Sequence, residues 1–266
     1  MGFGGLRVLA LESRRAAEME QLIRKQGGEP FVAPSMREIP LADNSEAFTF
    51  AERLFAGAFE MVILLTGVGT RQLNRLLAAR FPEDAFAAAL ARVTLVARGP
   101  KPVAALREMG LKPAMVAPEP NTWRELLAVT EGRPERRIAV QEYGRPADEL
   151  LDGLRSRGGE VTRVRVYQWD LPEDVEPLRE AARRLAAGAF DAALFTTAVQ
   201  ITHLARVATE LGIENAALGN LRKCRVYSIG PTTTEALEEF GVHPVMEPTH
   251  PKMGYLVNEA AEHARQ

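Results

Sequence analysis

The sequence contains only one cysteine, Cys224, which excludes an internal disulfide and any metal centre built from several thiolates. Cys224 begins the apolar run CRVYSI, so we expect a buried core thiol and not a nucleophile. The four histidines show neither HxxxH nor HExxH spacing and stand near no carboxylate cluster, so no metal site is predicted. A Gly-x-Ser-x-Gly motif is also missing, so the sequence offers no nucleophile for a serine hydrolase and this class of enzyme is not predicted.

The sequence also lacks an excess of basic residues and any long apolar segment. There are 33 Lys and Arg against 35 Asp and Glu, and a net charge of -2 argues against a nucleic-acid-binding protein. No apolar run approaches the roughly 18 residues that a membrane-spanning helix needs, and MGFGGLRVLALESRR does not resemble a signal peptide. With 266 residues, 46% of them hydrophobic, we expect a cytoplasmic enzyme with one large or two modest domains.

Short apolar runs alternate with amphipathic segments along the whole chain. Several of these segments, such as RRAAEMEQLIRKQGG, close with glycine, as the C-terminus of a helix commonly does. Because parallel strands need crossover helices, this alternation predicts parallel sheets covered by helices. Ten strands are predicted, enough for two five-stranded doubly wound sheets: 7–11, 30–34, 61–66, 93–97, 113–117, 137–141, 161–167, 192–197, 225–229 and 243–247.

The chain also repeats itself at a constant offset, which is the separation of Gly99 from Gly230. The same shift relates these further pairs: Gly27 and Gly158, Phe59 and Phe190, Thr66 and Thr197, Leu73 and Leu204, Leu106 and Leu237. We therefore expect a duplicated α/β unit. Two polar segments that contain proline, 35–44 and 168–174, stand at equivalent positions and are candidates for crossings between domains. Periodicity alone leaves open whether each copy forms its own sheet or the copies exchange strands.

Two kinds of turn are candidates for ligand binding, because ligands of open parallel sheets bind beyond the carboxyl ends of the strands. The first kind carries a threonine, Thr66 in LLTGVGTRQL and Thr197 in FTTAVQITHL. Each threonine is predicted to cap the following helix, either alone or together with a ligand contact. Neither copy completes the glycine pattern of a dinucleotide site or of a P-loop, so neither site is predicted.

The second kind is the Gly-Pro turn, whose backbone N–H groups at the start of a helix favour an anion. Arg98 and Lys101 flank the first copy, and three threonines, 232–234, follow the second. Both copies therefore suit carboxylates, through charge in one and hydroxyl donors in the other.

Arg14 is either an anion clamp or a solvated residue of a first helical turn. Tyr167 ends a predicted strand beside a crossing, where packing is the commoner role of an aromatic residue.

Together these features resemble the uroporphyrinogen-III synthase family over almost the whole chain. The segments that carry the resemblance are Ser13-Arg14, Tyr167, Thr196-Thr197, Ile229-Gly230-Pro231-Thr232-Thr233 and the segment EPTHPKMGYL at 247–256. The first-half strand end departs from the family pattern Thr-Ser-x-x-Ala/Gly, because it reads Thr66-Gly67-Val68-Gly69 and lacks one hydroxyl.

The resemblance implies two flavodoxin-like domains joined by a two-stranded linker, with the first two strands belonging to the same domain as the end of the chain. It implies residues 1–36 plus 173–266 for domain 1, 44–165 for domain 2, and 37–43 and 166–172 for the linker strands. The substrate is expected in the cleft between the domains.

The implied reaction is the cofactor-free cyclisation of hydroxymethylbilane, a linear tetrapyrrole, to uroporphyrinogen III with loss of water and inversion of ring D. Tyr167 is the expected catalytic residue, as proton or hydrogen-bond donor to the departing hydroxyl. The expected substrate-binding residues are Arg14, Thr66, Gly67, Val68, Arg98, Gly99, Lys101, Thr196, Thr197, Ala198, Gly230, Pro231, Thr232 and Thr233. The resemblance also implies a monomer that receives its substrate from the upstream deaminase and has no nucleic-acid or membrane partner.

A different class of protein fits the same pattern. Two α/β lobes with two crossings also describe bilobed proteins that bind a small molecule without transforming it, including cytoplasmic sensor domains. The absence of a signal peptide, a DNA-binding segment and a membrane segment from the sequence counts against this alternative.

Overall fold

The protein is described by a computed structural model that covers residues 2–40, 44–142 and 147–265. The chain divides into two compact units, and each is described by itself. Unit 1 comprises Met1–Arg37 and Asp170–Gln266, and unit 2 comprises Glu38–Trp169. Among the helices of the described ranges, none is long and apolar enough to cross a membrane.

The described strands follow the predicted alternation closely. They are β1 (Arg7–Ala10), β2 (Glu29–Val32), β3 (Arg37–Pro40), β4 (Met61–Leu64), β5 (Thr94–Ala97), β6 (Met115–Val116), β7 (Arg137–Gln141), β8 (Glu160–Val164), β9 (Tyr167–Asp170), β10 (Ala192–Phe195) and β11 (Arg225–Ser228). The helices are α1 (Ala16–Lys25), α2 (Ser45–Phe55), α3 (Gly67–Ala78), α4 (Ala85–Leu90), α5 (Pro100–Glu108), α6 (Trp123–Val129), α7 (Asp148–Ser156), α8 (Glu176–Ala186), α9 (Val199–Glu210), α10 (Glu214–Leu221), α11 (Pro231–Glu239) and α12 (Met253–His263).

The sheet of unit 1 is parallel and has the strand order β11-β10-β1-β2. A single parallel bridge from Tyr227 to Met246 adds a fifth position beside β11. Counted along the chain from the β2 edge, the order is 2-1-3-4-5, which is the flavodoxin arrangement. The strand predicted at 243–247 is wrong in extent, because only the bridge at Met246 forms there.

The sheet of unit 2 is also parallel, with the order β6-β5-β4-β7-β8. At the offset that relates Gly99 to Gly230, β4 and β5 correspond to β10 and β11, and β8 corresponds to β2. Each sheet therefore combines two strands from one copy of the repeat with three from the other. The predicted fold class is confirmed, and of the two arrangements left open by periodicity the exchanged one is present.

The offset between the copies changes by a single position at the first strand. Val8 lies opposite Ala192 in unit 1, and Ile138 lies opposite Met61 in unit 2. Met61 and Ala192 are equivalent in the repeat, so their partners in the neighbouring strand, Ile138 and Val8, are also equivalent. The separation of Val8 from Ile138 in the chain is one residue shorter than that of the other equivalent pairs. By the same register, Leu11 is the structural equivalent of Gln141.

The chain crosses between the units at two places, and the strands at both crossings pair with each other. β3 and β9 form a two-stranded sheet of their own. Residues 41–43 of the predicted linker strand 37–43 lie outside the described residues. The predicted strand 161–167 is split, because β8 ends at Val164 and Tyr167 begins β9. Val166 and Tyr167 pack in the same core cluster, whereas one continuous strand would direct successive side chains to opposite faces.

Each sheet has a hydrophobic core on both of its faces, as the doubly wound prediction requires. In β1, Leu9 packs with Phe195 and Leu204 on one face, whereas Val8 packs with Leu256 on the other. This alternation follows from the two-residue period of a strand. The helices thus cover both faces and leave the carboxyl ends of the strands as the edge from which the turns project.

Cys224 lies beside one core of unit 1 and is partly, not fully, buried. Its Sγ is 3.3 Å from the carbonyl oxygen of Phe190. Burial raises the pKa of the Cys224 thiol to about 11. The group is therefore a neutral thiol at physiological pH, which agrees with the prediction that it is not a nucleophile.

An ion pair joins the amino ends of β1 and β10 in unit 1. Asp191 Oδ2 accepts hydrogen bonds from the backbone N and from Nε of Arg7, both at 2.9 Å, and Oδ1 lies 2.7 Å from a terminal guanidinium nitrogen. These contacts with Arg7 lower the pKa of the Asp191 carboxyl to about 2. The ordinary value in an unfolded chain is about 3.9.

Because the folded pKa is the lower one, the stabilisation from Asp191 is present above pH ~4 and is lost as the pH falls toward ~2. We expect Asp191→Asn to reduce the free energy of unfolding at pH 7 and to reduce it progressively less on acidification. Urea denaturation of both proteins between pH 7 and pH 2.5 measures the difference. A difference that stays constant over this range would contradict the assignment.

Candidate functional site

The predicted site residues lie at the carboxyl ends of the sheets, and the structure distributes them over both units. Unit 2 contains Thr66, Gly67, Val68, Arg98, Gly99, Lys101 and Tyr167. Unit 1 contains Arg14, Thr196, Thr197, Ala198, Gly230, Pro231, Thr232 and Thr233. With the exception of Tyr167, which begins β9, all of them lie in the turns or first helical turns that follow β1, β4, β5, β10 or β11.

In unit 2 the threonine turn is built as predicted. Thr66 is the N-cap of α3, and its Oγ1 accepts a hydrogen bond from the N–H of Gly69 at 3.0 Å. The carbonyl oxygen of Thr66 accepts from Thr70, through the backbone N–H at 3.0 Å and the hydroxyl at 2.7 Å. The prediction that Thr66 caps the helix is confirmed. The cap orients the first turn of α3 at the edge of the sheet.

Tyr167 contacts this cap directly. Its hydroxyl oxygen lies 3.3 Å from Thr66 Oγ1, and either group can be the donor. The Tyr167 side chain is 3% exposed and packs in a core cluster with Val164 and Val166. The aromatic ring is therefore held by the core while the hydroxyl sits beside α3. Two residues predicted separately, 101 positions apart in sequence, thus form one pair.

Close packing leaves no room for a side chain at Gly67. A Cβ on Gly67 would lie 2.4 Å from the backbone oxygen of Lys101. A contact below 3.0 Å requires one of the two backbones to move. The first turn of α3 therefore lies against the first turn of α5, so that the threonine turn and the Gly-Pro turn of unit 2 are neighbours.

The Gly-Pro turns begin helices in both units. Gly99 is the N-cap of α5 and Gly230 that of α11, with Pro100 and Pro231 at the first helical positions. Proline suits that position because its missing N–H would be unpaired there in any case. A Cβ on Gly99 would lie 3.0 Å from the Asn121 side chain, so glycine also suits this turn sterically.

In unit 1 the threonine turn is built differently. The N-cap of α9 is Ala198, and its first turn has no side-chain cap, so the prediction that Thr197 caps the helix is wrong. The side chain of Gln200 replaces the cap. Gln200 Oε1 accepts the N–H of Thr196 at 2.7 Å and that of Thr197 at 3.3 Å. Its amide nitrogen donates to the Thr196 hydroxyl at 2.9 Å.

Glu12 completes this network and was not predicted. Its Oε2 accepts the Thr196 hydroxyl at 2.6 Å, and its Oε1 accepts the N–H groups of Arg14 at 3.1 Å and Arg15 at 3.2 Å. The N–H groups before α1 therefore hold a carboxylate of the protein, beside Arg14, which the sequence left as either an anion clamp or a solvated residue. The Arg14 side chain is exposed at the same edge. A glutamate between a strand and a helix start is the signal that could have indicated this contact.

The three threonines of the second Gly-Pro turn have different surroundings. The Thr234 hydroxyl contacts the Ser228 hydroxyl and the Glu247 carboxylate, so it serves an internal network. Thr233 is 3% exposed, and Thr232 is partly buried. The N–H groups of Thr233 and Thr234 donate to the carbonyl oxygen of Gly230 at 2.9 and 3.1 Å, so of the three threonines Thr232 is the one left for the predicted ligand contact, which stays a prediction.

The residues in the described ranges contain no group of three or more His, Cys, Asp or Glu side chains that could hold a metal ion. What the two edges do provide is donors: hydroxyl groups, backbone N–H groups at helix starts, one phenol, and the cationic side chains of Arg14, Arg98 and Lys101. Such an edge can bind anionic groups and can donate a hydrogen bond or a proton to a leaving oxygen.

These features define a class of protein: a duplicated α/β protein with two strand-exchanged flavodoxin-like sheets and donor-rich helix starts at their carboxyl edges. The family model described as Uroporphyrinogen-III synthase HemD matches residues 17–258, and the chain belongs to that family.

Individual relatives and solved structures are similar to nearly the whole chain. The Bacillus subtilis (strain 168) protein named Uncharacterized protein YjjA is 29% identical over 268 residues, which is 98% of this chain and 97% of that one. A mutant uroporphyrinogen III synthase from the extremely thermophilic bacterium Thermus thermophilus has a TM-score of 0.73 at 28% identity, covering 98% of this chain and 99% of that one. The uroporphyrinogen-III synthetase of Helicobacter pylori 26695 has a TM-score of 0.50 at 16% identity over 98% of each chain, which supports the fold alone.

Proposed function

We propose that the protein is a uroporphyrinogen-III synthase that cyclises hydroxymethylbilane to uroporphyrinogen III without a cofactor. The observation that carries the proposal beyond family membership is the pair of hydroxyls of Tyr167 and Thr66, 3.3 Å apart at the carboxyl edge of unit 2. The pair stands next to two neighbouring helix starts, those of α3 and α5.

The donors at these edges match the charge of the substrate. Every pyrrole of hydroxymethylbilane carries an acetate and a propionate, so the ligand needs many donors and few apolar contacts. In unit 2, the N–H groups of Gly67 and Val68 at the start of α3 supply donors where the helix dipole favours an anion. Arg98 and Lys101 add positive charge at the adjacent turn. In unit 1, the equivalent donors are Ala198 and the turn that contains Thr232.

The reaction requires that a hydroxyl leave and that a carbon–carbon bond form. The pyrrole nitrogen of ring A expels the hydroxyl, and Tyr167 donates its hydrogen bond or proton to the departing oxygen, which leaves as water. The azafulvene that results is attacked by the substituted carbon of ring D, which gives a spiro intermediate. Its fragmentation and reclosure invert ring D, and the ring carbon finally loses the proton that restores Tyr167. Water is the only by-product, and no oxidant is needed.

Most of the catalytic effect is assigned to positioning. Hydroxymethylbilane closes unaided to the type I isomer, so the protein must favour the attack that leads to type III. Holding a flexible chain in one reactive geometry is worth large rate factors. This assignment is in keeping with a site built from hydroxyl and backbone N–H donors together with the cations Arg98 and Lys101.

The decisive experiment supplies purified protein with hydroxymethylbilane, oxidises the product and separates type III from type I porphyrin by chromatography. We expect type III to dominate, whereas a control without protein gives type I. If only type I forms, at the rate of the control, the synthase assignment is refuted. The alternative, a bilobed protein that binds a small molecule without transforming it, is then favoured. The monomeric state and the handover from the upstream deaminase stay predictions.

A further inference from the structure

A glutamine side chain holds the strand-end threonine of each unit. In unit 2, Gln141 Oε1 accepts the N–H of Thr66 at 3.3 Å. In unit 1, Gln200 Oε1 accepts the N–H of Thr197 at 3.3 Å. Thr66 and Thr197 are equivalent in the repeat, so the same backbone group has the same kind of partner at the same distance. Both glutamines are 1% exposed, so their amides are parts of the interior.

The two glutamines come from different elements. Gln141 is the last residue of β7, whereas Gln200 lies in the first turn of α9. The residue in unit 1 that is equivalent to Gln141 is Leu11, and the residue in unit 2 that is equivalent to Gln200 is Gly69. Each unit thus has one glutamine, at one of two places, and an apolar residue or glycine at the other.

Sterics explain why the two places are not both filled. A Cβ on Gly69 would lie 2.1 Å from Nε2 of Gln141, so the amide that comes from the strand takes the space of a side chain on the helix. In unit 1 the residue at that helix position, Gln200, supplies the amide itself. The amide thus comes from the strand in unit 2 and from the helix in unit 1.

We propose that Gln141 and Gln200 are positioning residues of the two ligand-binding turns and that their roles are interchangeable. Each glutamine satisfies the N–H of the threonine, and the next two N–H groups are left for a substrate carboxylate. In unit 2 those groups belong to Gly67 and Val68, which have no hydrogen-bond acceptor within the described ranges. The role in substrate binding rests on the proposed function. The exchange between strand and helix rests on the geometry alone.

A transplantation experiment tests the inference in unit 2. Gln141→Leu removes the amide, and we expect KM for hydroxymethylbilane to rise about threefold to tenfold, with kcat changed less. Gly69→Gln alone places a second side chain in the occupied space and should lower Tm. The double variant Q141L/G69Q gives unit 2 the arrangement of unit 1. We expect it to restore both Tm and KM toward the wild-type values.

The reciprocal cycle in unit 1 consists of Leu11→Gln, Gln200→Gly and the double variant, and the same rescue is expected there. Double variants whose losses equal or exceed the sum of the single losses would overturn the inference. So would a rescue of Tm without any rescue of KM, because the glutamines would then only fill space. Tm is measured without substrate, so a wild-type protein that forms no type III product would refute the proposed function separately.

Discussion

Replacing Tyr167 by phenylalanine is expected to lower the rate of type III product formation about a hundredfold, the lower range for loss of a general acid. The change removes the hydroxyl that lies 3.3 Å from Thr66 Oγ1 and leaves the ring in its core position. We therefore expect little change in Tm. Because hydroxymethylbilane closes spontaneously, the share of type I product should rise as the rate of the enzyme falls. Chromatography of the oxidised porphyrins measures both quantities.

Tyr227→Phe is the matched control. Tyr227 is a fully buried tyrosine on β11, and its hydroxyl lies 3.4 Å from His263 Nδ1, within unit 1. The same chemical change at this place should leave the rate and the product ratio unaltered. If Tyr167→Phe forms the type III product at the wild-type rate, Tyr167 is a packing residue and its catalytic role is refuted. Equal losses in both variants would point to destabilisation instead.

The second large effect is expected for Gly67→Ala. The new methyl group would lie 2.4 Å from the backbone oxygen of Lys101, so the first turns of α3 and α5 must separate. Overpacking of this kind destabilises by about 1–3 kcal/mol. The displacement also moves the N–H groups that we assign to substrate carboxylates, so KM should rise together with the loss of stability. Urea denaturation and steady-state kinetics measure the two effects.

Gly219→Ala is the control for this variant. Gly219 lies inside α10, and a Cβ there would meet no other atom within 4 Å. Alanine is favoured over glycine within a helix by about 1 kcal/mol, so the control should be at least as stable as the wild type. A Gly67→Ala protein with unchanged stability and KM would show that the turns adjust freely, and the proposed contact between them would lose its importance.

Only part of the candidate site was predictable from the sequence. Thr66 was predictable as a cap because a threonine between a strand and a helix has a local role that spacing reveals. The Gly-Pro turns were predictable for the same reason. Glu12, Gln141 and Gln200 were missed, since their roles depend on contacts between distant segments. Gln141 and Thr66, for example, are 75 residues apart in the chain.

The assignment of Tyr167 to the end of a strand was wrong for a related reason. The run VTRVRVY alternates in a way that predicts one strand. In the structure the alternation breaks at Val166 and Tyr167, which pack in the same core cluster, and β9 begins as a partner of β3. Local periodicity does not reveal this pairing, because β3 belongs to the other, distant crossing of the chain. The contact between Tyr167 and Thr66 likewise follows from tertiary structure.

The amino-acid sequence by itself determined that this protein is a duplicated α/β chain with parallel sheets, because periodic apolar runs and repeated turns are local and additive signals. It did not determine which strands share a sheet. β1 and β7 are equivalent, so β10 and β4 offer similar edges to either of them, and the repeat pattern is the same for both pairings. Tertiary structure decided in favour of β1 with β10 and β7 with β4, through packing between distant segments. The same choice brought each glutamine amide to its turn.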